Sequence, residues 1–315
     1  MKLPDFQAKV NYNNLLKEDE KMKTQIQILK DGRKLAYMEF GDPKGTPVFY
    51  AHGGPGSRLE GEWFHEVAIR KEFKIISTDR PGHGESSYQE GRRHLDYGRD
   101  IADLADALNF DKFGVIGWSG GGMPTTICAY AIPERLLFDF SFAGYTNWHE
   151  MPDAPSYLAG GREDVENSSN MYSQDIEALR LSLEQMEERV KNSPEEAYHV
   201  IISQMNKTDN AIAEIPEFKA LFMKSQKEAF KQGSLGPAHD AYLHYHDWGF
   251  KLKDIAFPIH VFHGTEDGLV PIEYAQHLRD NVQNCTLHIW EGEGHLAPQE
   301  HLDEIFEIAK NEIAI

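Results

Sequence analysis

Ser119 lies in Gly117-Trp118-Ser119-Gly120-Gly121-Gly122, directly behind the apolar run Phe113-Gly114-Val115-Ile116. Four glycines around one serine need a reason, because glycine loses more conformational freedom on folding than any other residue. The stretch matches G-x-S-x-G, in which the serine occupies a strained strand-to-helix turn and small neighbours let backbone pass close by. Such a turn lifts the hydroxyl into a cleft. A serine hydroxyl is a weak nucleophile, so a histidine must accept its proton and a carboxylate must orient that histidine. Asp267 and His295 are the candidates, each in a polar, glycine-containing stretch that follows a short apolar run. Their order after Ser119, acid then histidine, is the order that accompanies this turn. A tetrahedral intermediate also needs backbone N–H donors for its oxyanion. Gly120, next after the serine, supplies one, and Gly54, in His52-Gly53-Gly54-Pro55-Gly56-Ser57, supplies the other.

These pieces can meet only if strands deliver them to one edge. An alternating stretch at 24–29, a turn at Asp31-Gly32 and a second strand at 34–40 read as an opening β-hairpin. Apolar runs at 47–51, 74–78, 113–117 and 136–142 alternate with helical periodicity, as at 98–108, where Ile101, Leu104, Ala105 and Leu108 share a face. The rhythm stops after Tyr145 and returns with strands at 258–264 and 285–290 and a helix from about 299. Eight strands, mostly parallel and covered by helices on both faces, are the expected core. Every candidate group then falls just behind a strand's C-terminal end, where open α/β sheets place their ligands.

Residues 146–250 have another character. Ile176, Leu179, Leu183, Met186 and Val190 mark an amphipathic helix, and Ser193-Pro194-Glu195-Glu196 reads as a capping box that starts a second. Further helices are expected at 216–231, stopped by Gly233, and at 237–246. The expected organisation is a core of residues 1–145 and 251–315, with 1–22 as an N-terminal arm, and a helical cap over 146–250. Two residues are assigned to substrate binding: Trp118, which either lines the acyl pocket or packs beneath the turn, and Trp248, near the return of the cap. The polar stretch 161–170 reads as a solvated cap loop or as a site for a substrate amine, the loop being favoured. His244 and His246 do not make a metal pocket, since residues two apart on a helix diverge. No metal and no cofactor are expected.

With 51 acidic against 32 basic side chains the net charge is −19, which repels nucleic acid and anionic membrane surfaces. No run of 18 or more apolar residues is present and the first 23 residues lack an apolar signal core, so a cytoplasmic location is expected. Cys128 and Cys285, both in apolar runs, read as reduced packing residues.

Together with Asp79-Arg80-Pro81-Gly82-His83-Gly84-Glu85-Ser86, these motifs make residues 24–315 resemble the α/β-hydrolase fold family. By that resemblance Asp79 and Arg80 are structural. His52-Gly53-Gly54-Pro55-Gly56 is similar to a motif of proline iminopeptidases, whereas the serine turn and the 79–86 stretch differ from that branch and favour the broader esterase-like one. Epoxide hydrolases and haloalkane dehalogenases of this fold carry aspartate where this chain has Ser119. The implied activity is cofactor-independent hydrolysis of a small carboxylic ester through an acyl-serine. The alternatives are an aminopeptidase acting on a short peptide or amide, and a non-catalytic ligand receptor.

Overall fold

A computed structural model describes residues 22–157 and 175–314. The sheet has eight strands: β1 (Gln25–Ile28), β2 (Lys34–Gly41), β3 (Thr46–Ala51), β4 (Phe73–Thr78), β5 (Phe113–Trp118), β6 (Leu136–Phe142), β7 (Ile259–Gly264) and β8 (Cys285–Trp290). Their spatial order is β1-β2-β4-β3-β5-β6-β7-β8. β2 runs antiparallel to both of its neighbours, and the pairs from β4 to β8 are parallel. Every residue of β5 is buried, as expected of a central strand covered on both faces.

Alternation along the strands feeds two apolar layers. Phe49, Phe113 and Val115 pack on one face, against Ile101 and Leu104 of α2 (Asp96–Ala107) and Ile127 of α3 (Gly122–Ala131). Tyr50, Ile116 and Trp118 pack on the other, against Val67 of α1 (His65–Arg70) and Ile305 and Phe306 near the chain's end. Cys128 and Cys285 are free thiols.

Between β6 and β7 stand α4 (Ile176–Asn192), α5 (Pro194–Ile202), α6 (Pro216–Ala229) and α7 (Leu235–His244). After β7 come α8 (Ile272–Asn281) and, behind β8, α9 (Leu302–Ile313). Asp175 caps α4 by accepting the Ala178 N–H at 2.8 Å. The apolar stripe of α4 splits its work: Leu179 and Val190 are buried, while Leu183 and Met186 line a cavity. The capping box expected at Ser193 is not made. That residue is a one-residue joint, ending α4 through its N–H on the Arg189 carbonyl, and its hydroxyl makes no cap hydrogen bond to α5, which begins with Pro194. α6 stops before Gly233, whose φ of 94° an L side chain rarely adopts. The expected arm at 1–22 falls almost wholly, and the polar loop at 161–170 wholly, outside the described residues.

Candidate active site

β5 ends at Trp118, and Ser119 follows at φ 55°, a left-handed conformation that strains a residue bearing a Cβ. The glycines around it are set by contact distance. A Cβ on Gly117 would stand 2.1 Å from the Gly121 carbonyl oxygen, and one on Gly121 would stand 2.0 Å from that of Ala51. Neither position admits a side chain. The turn therefore rests on β3 and on its own backbone, with Ser119 half-buried at its crest and α3 leaving behind it.

Two further loops reach the same edge. Behind β7, Asp267 accepts the N–H groups of Leu269 and Val270 at 2.9 Å on Oδ1, which fixes its carboxylate. Behind β8, His295 places Nδ1 2.8 Å from Asp267 Oδ2. Both side chains are almost wholly buried, and Asp267 Oδ2 also faces His263 Nε2 at 3.3 Å. Burial would raise the carboxyl of Asp267, but His295 and His263 outweigh it and hold it below the usual carboxylate range. Burial would likewise lower His295, yet Asp267 keeps the imidazole above its ordinary value, with Asp209 adding to the effect. With Nδ1–H donated to Asp267, the lone pair of His295 resides on Nε2. No hydrogen bond joins His295 to the Ser119 hydroxyl among the described residues; without substrate this contact is often long and tightens in the complex.

Gly54 and Gly120 lie side by side, the Gly54 nitrogen being 3.3 Å from where a Cβ would stand on Gly120. The loop that carries Gly54 is held from several directions. Gly53 gives its N–H to Glu60 Oε2 at 2.8 Å, and its carbonyl accepts from Arg80 at 3.0 Å and from His52 Nδ1 at 2.8 Å. Arg80 also donates to the His52 carbonyl, while its own N–H goes to His52 Nε2 at 3.2 Å. Its Nε meets Asp240 of α7 at 2.6 Å, and Asp240 takes a second guanidinium, that of Arg92. Asp209, from the segment after α5, accepts the N–H groups of His295 at 3.1 Å and Leu296 at 2.7 Å.

Ser119, Gly54 and Gly120 open onto a cavity of about 200 Å³, closed on the other side by Leu183 and Met186 of α4 and by Pro237, Ala241 and His244 of α7. Neither tryptophan assigned to substrate binding lines it. Trp118 alternates to the far face of β5, donates Nε1–H to the His295 carbonyl at 3.0 Å and packs edge-on against Trp63. Trp248 is 2% exposed in the core beside Phe250 and Leu252. Arg80, Asp209, Asp240 and His244 are the groups that sequence reasoning did not assign to the site.

Residues 46–302 match the model of the alpha/beta hydrolase fold. The chain belongs to the α/β-hydrolase fold family. As a member of that family it is an enzyme, and its relatives span nearly its whole length. It is 28% identical over 285 residues to an uncharacterised hydrolase, YcgS, of Bacillus subtilis, covering 87% of this chain and 93% of that one. It is 25% identical to a 2-hydroxy-6-oxononadienedioate/2-hydroxy-6-oxononatrienedioate hydrolase of Paraburkholderia xenovorans, covering 86% and 87%. Among solved α/β hydrolases, an esterase from Exiguobacterium antarcticum superposes with a TM-score of 0.66 at 18% identity, over 93% of this chain and 100% of the other. That likeness is one of fold. Among the described residues no helix is long and apolar enough to cross a membrane.

Proposed function

We propose that the protein hydrolyses a small carboxylic ester through an acyl-serine intermediate, with α4 to α7 as a cap over the site. The observation that carries this reading is the buried 2.8 Å His295–Asp267 contact at the same sheet edge as the strained Ser119 turn. Ser119 Oγ attacks the carbonyl carbon while its proton passes to His295 Nε2. The carbonyl oxygen becomes an oxyanion and takes the N–H groups of Gly54 and Gly120. Collapse of the tetrahedral adduct breaks the ester C–O bond, and His295 returns the proton to the departing alcohol. Water, deprotonated by the same imidazole, then attacks the acyl carbon, and release of the acid restores Ser119. Asp267 orients His295 and stabilises its protonated form.

A cavity of about 200 Å³ is small against the ~300–1,000 Å³ typical of pockets for drug-sized ligands, which favours short acyl groups. An aminopeptidase would need an acceptor for a substrate ammonium. Asp240, the carboxylate on the cavity wall among the described residues, is already paired with both Arg80 and Arg92, so a cation there would meet net positive charge. A receptor has no use for a nucleophile held in a strained conformation. The test is kcat/KM on phenyl esters of two to six acyl carbons. Wild type is expected to turn them over and both Ser119→Ala and His295→Ala to lose at least ~10³-fold. Full activity in Ser119→Ala would sink the proposal.

A further inference from the structure

His244 stands where no part of the proposed hydrolytic step uses it. It ends α7, and its ring stacks on Tyr145 with centroids 4.5 Å apart and planes 2° from parallel, which fixes the imidazole's orientation. Nε2 lies 3.3 Å from the Gly120 carbonyl oxygen. A carbonyl only accepts, so Nε2 carries the proton and Nδ1 keeps its lone pair. Burial pushes the imidazole down to about 4, with Asp240 opposing and Arg80 adding to the shift, so the ring is neutral at ordinary pH. Cε1 lies against both oxyanion glycines, 3.0 Å from where a Cβ would stand on Gly120 and 3.8 Å from that of Gly54.

Nδ1 has no hydrogen-bond partner among the described residues, yet it is not one of the fully buried unpartnered atoms. His244 lines the Ser119 cavity, and also a smaller one behind it between Arg80, Arg92 and Met123, so its side chain adjoins the space a substrate fills and Nδ1 is the ring nitrogen left to meet it. A second group on the same wall needs polar company. His83 is 0% exposed, its Nε2 comes no closer to Asp240 Oδ2 than 3.4 Å, and both of its ring nitrogens lack a hydrogen bond. Buried polar groups in folded proteins are nearly always paired, so the unpaired ring of His83 marks this wall as polar beneath its surface.

We infer that His244 determines specificity: its Nδ1 accepts a hydrogen bond from a hydroxyl on the carbon next to the scissile carbonyl, so the substrates are esters of small α-hydroxy acids. The inference rests on the ester-hydrolase reading above. The position follows from the ring edge lying against the oxyanion glycines, which puts Nδ1 within reach of the atoms adjoining the carbonyl. The donor is a hydroxyl for two reasons. An ammonium would meet the net positive charge of Arg80, Arg92 and Asp240, and an acylated amine is bulky for about 200 Å³.

The experiment compares phenyl 2-hydroxypropanoate with phenyl propanoate, each kcat/KM divided by that ester's own rate of alkaline hydrolysis. Wild type is expected to prefer the hydroxy ester about tenfold, the worth of one neutral hydrogen bond in a closed site. His244→Phe, which can stack on Tyr145 but has no ring nitrogen, brings that ratio close to one. His244→Asn, whose amide oxygen can stand in for Nδ1, restores most of it. A wild-type ratio near one overturns the inference, and so does a preference that His244→Phe retains. If wild type cleaves neither ester and takes no fluorophosphonate on Ser119, the hydrolase reading itself falls and this inference with it. Adduct formation with a ratio near one removes the inference alone.

Discussion

Glu60→Gln removes one ionisable proton from beneath the loop that carries Gly54 while almost preserving the shape of the side chain. Glu60 is 2% exposed; its Oε2 accepts from the Tyr50 hydroxyl at 2.9 Å and the Gly53 N–H at 2.8 Å, and its Oε1 accepts from the Ser225 hydroxyl at 3.1 Å. Burial pushes the carboxyl up from 4.5 to about 7, against the opposing pull of those three hydrogen bonds and of Arg80. An unfolded chain releases this proton near 4.5 and the folded one near 7, so between those values the unfolded state binds fewer protons. Stability therefore falls as pH rises through that window, and the loss is complete above it. At ~1.4 kcal/mol per pH unit, the total is about 3 kcal/mol. Glutamine can keep its carbonyl on Tyr50 and Gly53 and turn its amide toward Ser225, and it does not titrate. The stability of Glu60→Gln relative to wild type should thus rise by about 2.5 kcal/mol of that total between pH 5 and pH 8, measured by urea unfolding followed by tryptophan fluorescence. A difference that stays flat to within about 0.5 kcal/mol, or falls, refutes the reasoning.

Asp267→Asn should lower kcat by about 10⁴-fold, because the amide favours the wrong tautomer of His295. It should also move the ascending limb of kcat/KM to lower pH. The base must be neutral to act, and Asp267 is what keeps His295 above its ordinary value, so an unmoved limb in a profile from pH 5 to 9 contradicts the assignment. Arg80→Lys retains the charge but cannot span the carbonyls of His52 and Gly53 and the carboxylate of Asp240 at once. The expected result is a kcat reduced about 10- to 100-fold with KM within about threefold, since in the proposed mechanism the Gly54 N–H acts mainly on the oxyanion. A variant that loses only stability and keeps kcat would show that the guanidinium braces the fold alone.

Much of the sheet was legible because strands buried on both faces read as uninterrupted apolar runs, and the breaks between them carry the turn residues. Ser119 was legible for a different reason: a left-handed residue with backbone pressed against it demands glycines at 117 and 121, and that demand is written locally. Asp267 and His295 could be found from chain order behind successive strands. Asp240, His244 and Asp209 could not, since they come from the segment between β6 and β7 and meet residues at 80, 120 and 295, contacts that no local pattern records. An aromatic near a site in sequence says nothing of its face: Trp118 takes the second of its two readings, packed beneath the turn, and Trp248 sits in the core instead of at the cavity. Trp118 alternates away from the cavity, and its indole N–H holds the His295 carbonyl instead. The box at Ser193 failed where a single residue had to end one helix and begin the next.

The most direct test of the central claim, that Ser119 is an activated nucleophile, is intact mass after exposure to a fluorophosphonate, with wild type and Ser119→Ala treated side by side. One adduct is expected on wild type and none on the variant, with the labelling rate rising with pH as His295 loses its proton. An unlabelled wild type, or equal labelling of both proteins, would contradict it.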